Sequence, residues 1–382
     1  MLPRLGRAAR VAASSRDDPA TPAPAPHRAS RLLRRGVNLS HWLWLPREQD
    51  AAKRWAFVTR EELARLRDGG LSHVRLPLDP ASLWDQDAMR LRAGAWGEAV
   101  RAVETCLEAG LGVIVDVHPL GGRSEWIMPG KDGAAPHLEG LWRELAPLCT
   151  VWSEDEIALE LMNEPHEIEK PDLWHQAQRR VHTIVRGACP RHTIIATGDQ
   201  WGGVDGLLAL PPLDDPNVVY SFHFYDPMTF THQGATWGWE GWRDLKDVEY
   251  PLACARAREI AKKFAGTQGA KGLVGEHCNG EDAVKHGGWN SQRIAARIDR
   301  AVAWATKHAR ESVPLALYCG EFGVYRAFAP GPSRANWIRD VRQVLEDRGI
   351  GWAMWDYVGG FALTKDGERT IDPAIAQALG MR

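Results

Sequence analysis

"IALELMNEPHE", residues 157–167, is a β-branched and leucine-rich run that stops on an amide, a carboxylate and a proline. Ile157 to Met162 reads as a buried strand and Asn163-Glu164-Pro165 as its exit. Polar residues with proline mark the point where a strand reaches the surface. A strand end is also a rigid place to hold an acid. The runs on either side decide between these readings.

Seven further runs share its character: "RGVNLS" (35–40), "SHVRLPL" (72–78), "LGVIVDVH" (111–118), "HTIIAT" (192–197), "NVVYSFHF" (217–224), "PLALYCG" (314–320) and "IGWAMWD" (350–356). Between them lie helix patterns such as "TREELARLRDGG" (59–70), "WGEAVRAVETCLEAG" (96–110) and "SRANWIRDVRQVLEDRG" (333–349). Several open on Ser or Thr and close on Gly, as helix caps prefer. The strand runs are almost continuously apolar, which indicates parallel strands covered on both faces. Eight βα units in succession predict an α/β fold, a single (β/α)8 TIM barrel over residues 31–382, rather than an open doubly wound sheet. No GxGxxG or GxxxxGK[ST] follows any strand, so the signature of a nucleotide-binding sheet is missing. About sixty residues after the sixth strand (224–288) break the period, among them "THQGATWGWEGWRDL" (231–245) and a helical "ACARAREIAKKFAG" (253–266). Loops that long are usually functional or disordered. Its tryptophans argue for an elaborated loop over the active face.

Composition narrows the function. Of 382 residues, 44% are hydrophobic and 25% charged, with a net charge of −2, the profile of a soluble globular chain. That balance offers no basic field to nucleic acid or anionic lipid, and no apolar run is long enough to span a bilayer. Cysteines 106, 149, 189, 254, 278 and 319 are scattered without CxxC pairs and are expected to be buried thiols rather than a disulfide framework. The 18 tryptophans, against 6 tyrosines and 8 phenylalanines, supply flat faces suited to packing and to sugar rings. Residues 1–30, arginine-bearing and Pro/Ala-rich without the apolar core of a secretory signal, read as a flexible leader or linker.

The chemistry of a TIM barrel sits where strands end. Those positions hold Asn38, His41 and Trp42 after the first strand, Arg75 in the second and His118 ending the third. Asn163 and Glu164 close the fourth, Trp201 follows the fifth, and His223 with Tyr225 ends the sixth. Glu321 in "YCGEFG" ends the seventh and Trp355 the eighth. A lone strand-end histidine is more often structural. A convergent set on one rim is not explained that way. Two carboxylates on facing strands suit glycoside hydrolysis, in which one acid protonates the leaving oxygen and a second carboxylate attacks or activates water. They need opposite protonation states at one pH. Arg75 is placed to hold one glutamate ionised, while burial and the negative neighbour raise the other.

"RGVNLSHW", "HVRLP", "DVHP", "LMNEP", "FHFY", "GEFG" and the tryptophan of "AMWDY" resemble glycoside hydrolase family 5, the cellulase family, over roughly residues 33–365. The resemblance implies Glu164 as general acid/base, Glu321 as nucleophile and Asn163 as partner of the sugar 2-hydroxyl. It also implies Arg75 as the residue that positions the nucleophile, with His118, His223 and Tyr225 as hydrogen-bonding residues and Trp355 as stacking platform. Trp201 and Trp237 are candidate sugar-cleft residues, with Trp44, Trp126, Trp239 and Trp242 as further loop candidates. Trp96, Trp142, Trp174, Trp304 and Trp337 lie in helix patterns and are expected to pack.

The expected activity is retaining cleavage of a β-glucan, an endo-β-1,4-glucanase, by a monomer without cofactor. The alternatives are another β-linked glycan, such as β-1,3-glucan, mannan or xyloglucan, and a non-catalytic carbohydrate-binding barrel. Such a substrate favours a secreted or periplasmic enzyme, although the N-terminus shows no clear signal. Glu276 in "LVGEHCNG" imitates the segment around Glu321 but would add a ninth strand, so it is assigned to the long loop. Glu160 shares parity with Glu164 and lies a layer deeper, as a paired structural carboxylate. Asp116 with His118 lacks the HxH or HExxH company of a metal site.

Overall fold

All eight runs form strands, and all eight strands pair in parallel. They are β1 (Arg35–Asn38), β2 (His73–Leu78), β3 (Gly112–Val117), β4 (Ile157–Glu160), β5 (Thr193–Thr197), β6 (Val218–Phe224), β7 (Ala316–Phe322) and β8 (Gly351–Met354). Each pairs with its sequence neighbours and β8 closes onto β1, giving a closed eight-stranded barrel. The computed structural model describes residues 31–382 except 47–49, 167 and 366, so the leader expected over 1–30 lies outside the described residues. Among the described residues no helix is long and apolar enough to cross a membrane.

Between strands run α1 (Arg60–Asp68), α2 (Ala93–Glu108), α3 (Pro136–Cys149), α4 (Pro171–Ala188) and the short α5 (Val204–Ala209). The start of α1 shows how local sequence sets an element. Thr59 accepts from the Glu62 N–H while the Glu62 side chain accepts from the Thr59 N–H, a reciprocal cap that satisfies two orphan donors. After β6 the chain inserts α6 (Cys254–Lys262) and α7 (Gln268–Cys278) before α8 (Ser291–Lys307) returns it to β7. Helices α9 (Gly331–Asp347) and α10 (Pro373–Ala378) complete the ring. The elaborated loop is therefore largely helical. Cys254 and Cys278 are disulfide-bonded across it, contrary to the expectation of thiols alone; the other four cysteines are buried thiols. A spacing of 24 residues in a long chain gave no signal of the bond.

Strand alternation sorts side chains into two cores. The outer core lies between strands and helices and takes in Trp96, Trp142, Trp174, Trp304 and Trp337, the expected packing residues. The inner core plugs the barrel with Leu32, Leu33, Ile114, Ala158, Ile195, Val219, Tyr318 and Ala353. Two residues further along the same inward columns, apolar side chains give way to Asp116, Glu160 and Ser221. The floor of the site is thus a continuation of the core with its chemistry changed.

Candidate active site

At the open end of the barrel Glu164 and Glu321 face each other. His223 Nδ1 lies 2.6 Å from Glu164 Oε1 and 3.6 Å from Glu321 Oε2. One oxygen of each carboxylate and a ring nitrogen of His223 all fall within 4.8 Å of one another. Such a trio has the donor types of a cation site, but His223 Nδ1 is already bonded to Glu164.

Each glutamate reaches this place through an irregularity. Glu164 follows the last paired residue of β4 by four positions and sits at φ 38°, a conformation that non-glycine residues seldom adopt and that clusters at functional sites. Glu321 depends on a β-bulge. Cys319 pairs with Phe222 but Glu321 pairs with His223, so Gly320 is an extra residue in β7. Were Gly320 to pair regularly with His223, Glu321 would share the parity of Cys319, which belongs to the outer core. A Cβ on Gly320 would meet Ser221 Oγ at 2.8 Å and His223 Nε2 at 2.9 Å, so the bulge takes the one residue that fits.

The environments of the pair differ. Glu321 is 5% exposed at its side chain and accepts from Arg75 Nη1 at 2.8 Å and from the Tyr225 hydroxyl at 2.9 Å. Glu164 is 23% exposed and has His223 as its side-chain partner. Burial pushes both carboxyls up, each to about 7, and the negative neighbour adds to the rise at Glu321. Nearby His223 and the donors Arg75 and Tyr225 oppose that rise at Glu321, the last two with a guanidinium and a phenol that keep their protons at neutral pH. Burial holds His223 below the usual histidine range, so it is a neutral partner there.

Arg75 stands behind the pair, fully buried, with Nη1 on Asn38 Oδ1 at 2.9 Å and Nη2 on Asn163 Oδ1 at 2.8 Å. Asn38 in turn donates to the carbonyls of Gly320 and Met354, which ties the bulge to β8. Asn38 therefore braces the guanidinium from below and does not line the cleft. Beside the pair, the Trp355 ring stacks on His118 at 5.4 Å, and Trp44 meets both rings at 4.5 and 5.5 Å.

The cleft has two lobes. One, of about 580 Å³, is lined by His41, Trp44, His118, Asn163, Glu321 and Trp355. The other, of about 640 Å³, is lined by His223, Asp205, Arg297, Trp239 and Trp242. Glu164, Trp201, Tyr225, His232 and Trp237 line both, so Glu164 stands where the lobes meet. Trp201 and Trp237 are about half exposed, at 52% and 47%, as open platforms would be.

Over residues 40–360 the sequence matches the family described as cellulase, glycosyl hydrolase family 5. The chain belongs to that family. It is 26% identical over 360 residues to Endoglucanase C of Acetivibrio thermocellus, covering 91% of this chain and 98% of that protein. It is 24% identical over 373 residues to Endoglucanase 3 of Fibrobacter succinogenes, of whose length it spans 54%. The solved structure of Thermotoga maritima Cel5A with mannotriose shares the fold, with a TM-score of 0.71 at 23% identity over 93% of this chain and 99% of that one.

Against this family-5 frame, most residues singled out in the sequence meet at the rim. Trp42 does not. It lies in a short helix, Ser40–Leu43, that turns its ring fully into the outer core against Trp55, 5.6 Å away. Trp126 packs on His137 and lines neither lobe. Glu276 lies on α7, where one carboxylate oxygen accepts from the N–H and hydroxyl of Thr229 at 2.9 and 2.5 Å. His166 escaped the sequence reading. Its Nδ1 meets the Glu164 carbonyl at 2.6 Å and its ring stacks on Trp201 at 3.7 Å and 7°. Its place two residues after Glu164 was the available signal.

Proposed function

We propose that this protein is a retaining endo-β-1,4-glucanase acting by double displacement. The observation that carries the reading is the pair Glu164–Glu321, with carboxylate oxygens no more than 4.8 Å apart at the junction of two lobes. Retaining glycosidases hold their carboxyl groups about 5–5.5 Å apart, whereas inverting ones leave about 6.5–9.5 Å for a water.

Glu321 is the nucleophile: it is ionised by the donors Arg75 and Tyr225 and attacks the anomeric carbon of the sugar beside Trp355. Glu164 is the acid, carrying its proton on the oxygen not engaged by His223 and giving it to the departing glycosidic oxygen. The leaving chain departs with that proton, and a glycosyl ester forms on Glu321. Water then attacks the anomeric carbon, Glu164 takes its proton, and the bond from that carbon to Glu321 breaks, freeing the carboxylate. The lobe holding Glu321 is accordingly the glycone side. The lobe built from Trp239, Trp242 and Arg297 receives the leaving group. A cleft continuing on both sides of the acid supports attack within a chain, and the curated endoglucanase relatives support a β-1,4-glucan. Mannan, xyloglucan and β-1,3-glucan are the competing polymers.

The test pairs viscosity loss with reducing-end release on a panel of soluble β-glucans. Viscosity should fall well ahead of sugar release on a β-1,4-glucan; release without viscosity loss would overturn endo attack. Glu321→Ala should lose turnover, and azide should restore cleavage of an activated glucoside with inverted product. An unchanged rate in that variant would overturn the assignment.

A further inference from the structure

Arg75 sits in a layer of buried charge that the two-carboxylate mechanism uses only in part. Glu160 takes it bidentately, from Nε at 2.6 Å and Nη2 at 3.0 Å. Asp116 lies 3.0 Å from Nη2, and Glu321 receives one bond, from Nη1 at 2.8 Å. Glu160 and Asp116 are 1% and 0% exposed and line neither lobe of the cleft, so neither can touch substrate. One positive charge answers three carboxylates. An exclusive arginine–carboxylate pair lowers the acid by about 1–3 pH units; here that effect is divided.

The remaining ionisable groups do not make up the deficit. β3 brings Asp116 and, at its end, His118, whose Nδ1 bonds Asp116 Oδ2 at 2.7 Å. The exit of β4 brings Glu164, β6 brings His223 and Tyr225, and β7 brings Tyr318 and Glu321. Below Arg75 on β2 lies His73, bonded to Tyr318. β5 and β8 carry no ionisable residue, and on β1 Arg35 is paired with Glu346 of α9. Burial holds His73, His118 and His223 below the ordinary histidine range, so none adds positive charge near neutrality.

We infer that Glu160, with Asp116 beside it, is a positioning residue that orients the Arg75 guanidinium and, by sharing its charge, keeps Glu321 protonated to higher pH than an exclusive Arg75–Glu321 pair would. The inference rests on Glu321 being the nucleophile. Glu160→Gln retains an oxygen for Nε while removing one negative charge, and Asp116→Asn does the same on the other flank.

The experiment measures, against pH, both kcat/KM and the rate of covalent inactivation by a 2-fluoro glycoside, which reads the nucleophile alone. The wild-type acid limb should lie above the ordinary glutamate value of about 4.3, and in each folded variant it should fall by about one pH unit. Circular dichroism and thermal midpoints establish folding. A wild-type limb at or below about 4.3, or a folded variant whose limb stays or rises, overturns the inference. A wild-type limb that low overturns the inference even if neither variant folds. A wild-type enzyme that hydrolyses glucan but is never labelled would instead overturn the nucleophile assignment.

Discussion

The two lobes of the cleft are built in different ways. The lobe around Glu321 and Trp355 is assembled from the ends of β3, β4, β7 and β8, each held by ladder hydrogen bonds on both sides. The lobe around Trp239 and Trp242 is assembled from the loop after β5, residues 200–206, and from the insertion after β6. That insertion relies on separate fasteners: the Cys254–Cys278 bond, Glu276 on Thr229, and Trp239 wedged where a Cβ on Gly241 or Gly272 would lie 2.3 Å from its ring. Groups that make and break bonds need placement within fractions of an ångström, and the pair proposed for that work, Glu164 and Glu321, sits on the strand-built part. Groups that grip a departing chain tolerate more play, and those proposed for that task sit on the inserted part.

The comparison predicts a gradient of effects. Glu321→Ala should lose at least about 10⁴-fold in kcat/KM on every substrate; a small loss would dissolve the distinction between the lobes. Glu164→Gln should lose about 10²–10⁴-fold on cellodextrins and far less on aryl glycosides whose leaving group needs no proton, read as the ratio of the two rates. Trp237→Ala removes an exposed ring shared by both lobes, and should raise KM on long substrates about tenfold. Reducing the disulfide, or Cys254→Ser, should lower the thermal midpoint by about a few degrees and weaken long substrates more than aryl glucosides. Glu276→Gln should change turnover by less than about threefold, since an amide oxygen still accepts from Thr229.

The pH profile probes the strand-built side alone. The nucleophile must be ionised, so activity falls as pH drops through its raised pKa. The acid must be protonated, so activity falls again as pH climbs through its own. Burial raises both, toward about 7, which places the bell above the ordinary carboxylate range. A plateau extending down to pH 4 would contradict that environment.

The same division governs what the sequence made legible. β-strand period and strand ends located Glu164, Glu321, His118, His223 and Trp355, because a barrel converts a linear pattern into a ring of inward positions. Trp42 misled, since a four-residue helical turn rotates it inward and leaves no mark that hydrophobicity could reveal. The fasteners of the insertion were hidden for another reason: the disulfide and the Glu276–Thr229 contact join residues 24 and 47 positions apart with no shared period. The sharing of Arg75 among three acids was half visible. Glu160 was placed one layer down, but the hold of Asp116 on the same guanidinium depends on how three strands come together.

The extra glycine in β7 makes this barrel sensitive to reading frame. Straightening the bulge with Gly320 kept, so that Gly320 pairs with His223, would swing the carboxylate of Glu321 outward into the layer beneath the helices, with no residue of the cleft replaced. Chimaeras that exchange strands between related barrels therefore need their crossovers outside 319–321. Sequence alignments that run through the bulge without a gap would pair the wrong side chains from that point to the end of the strand.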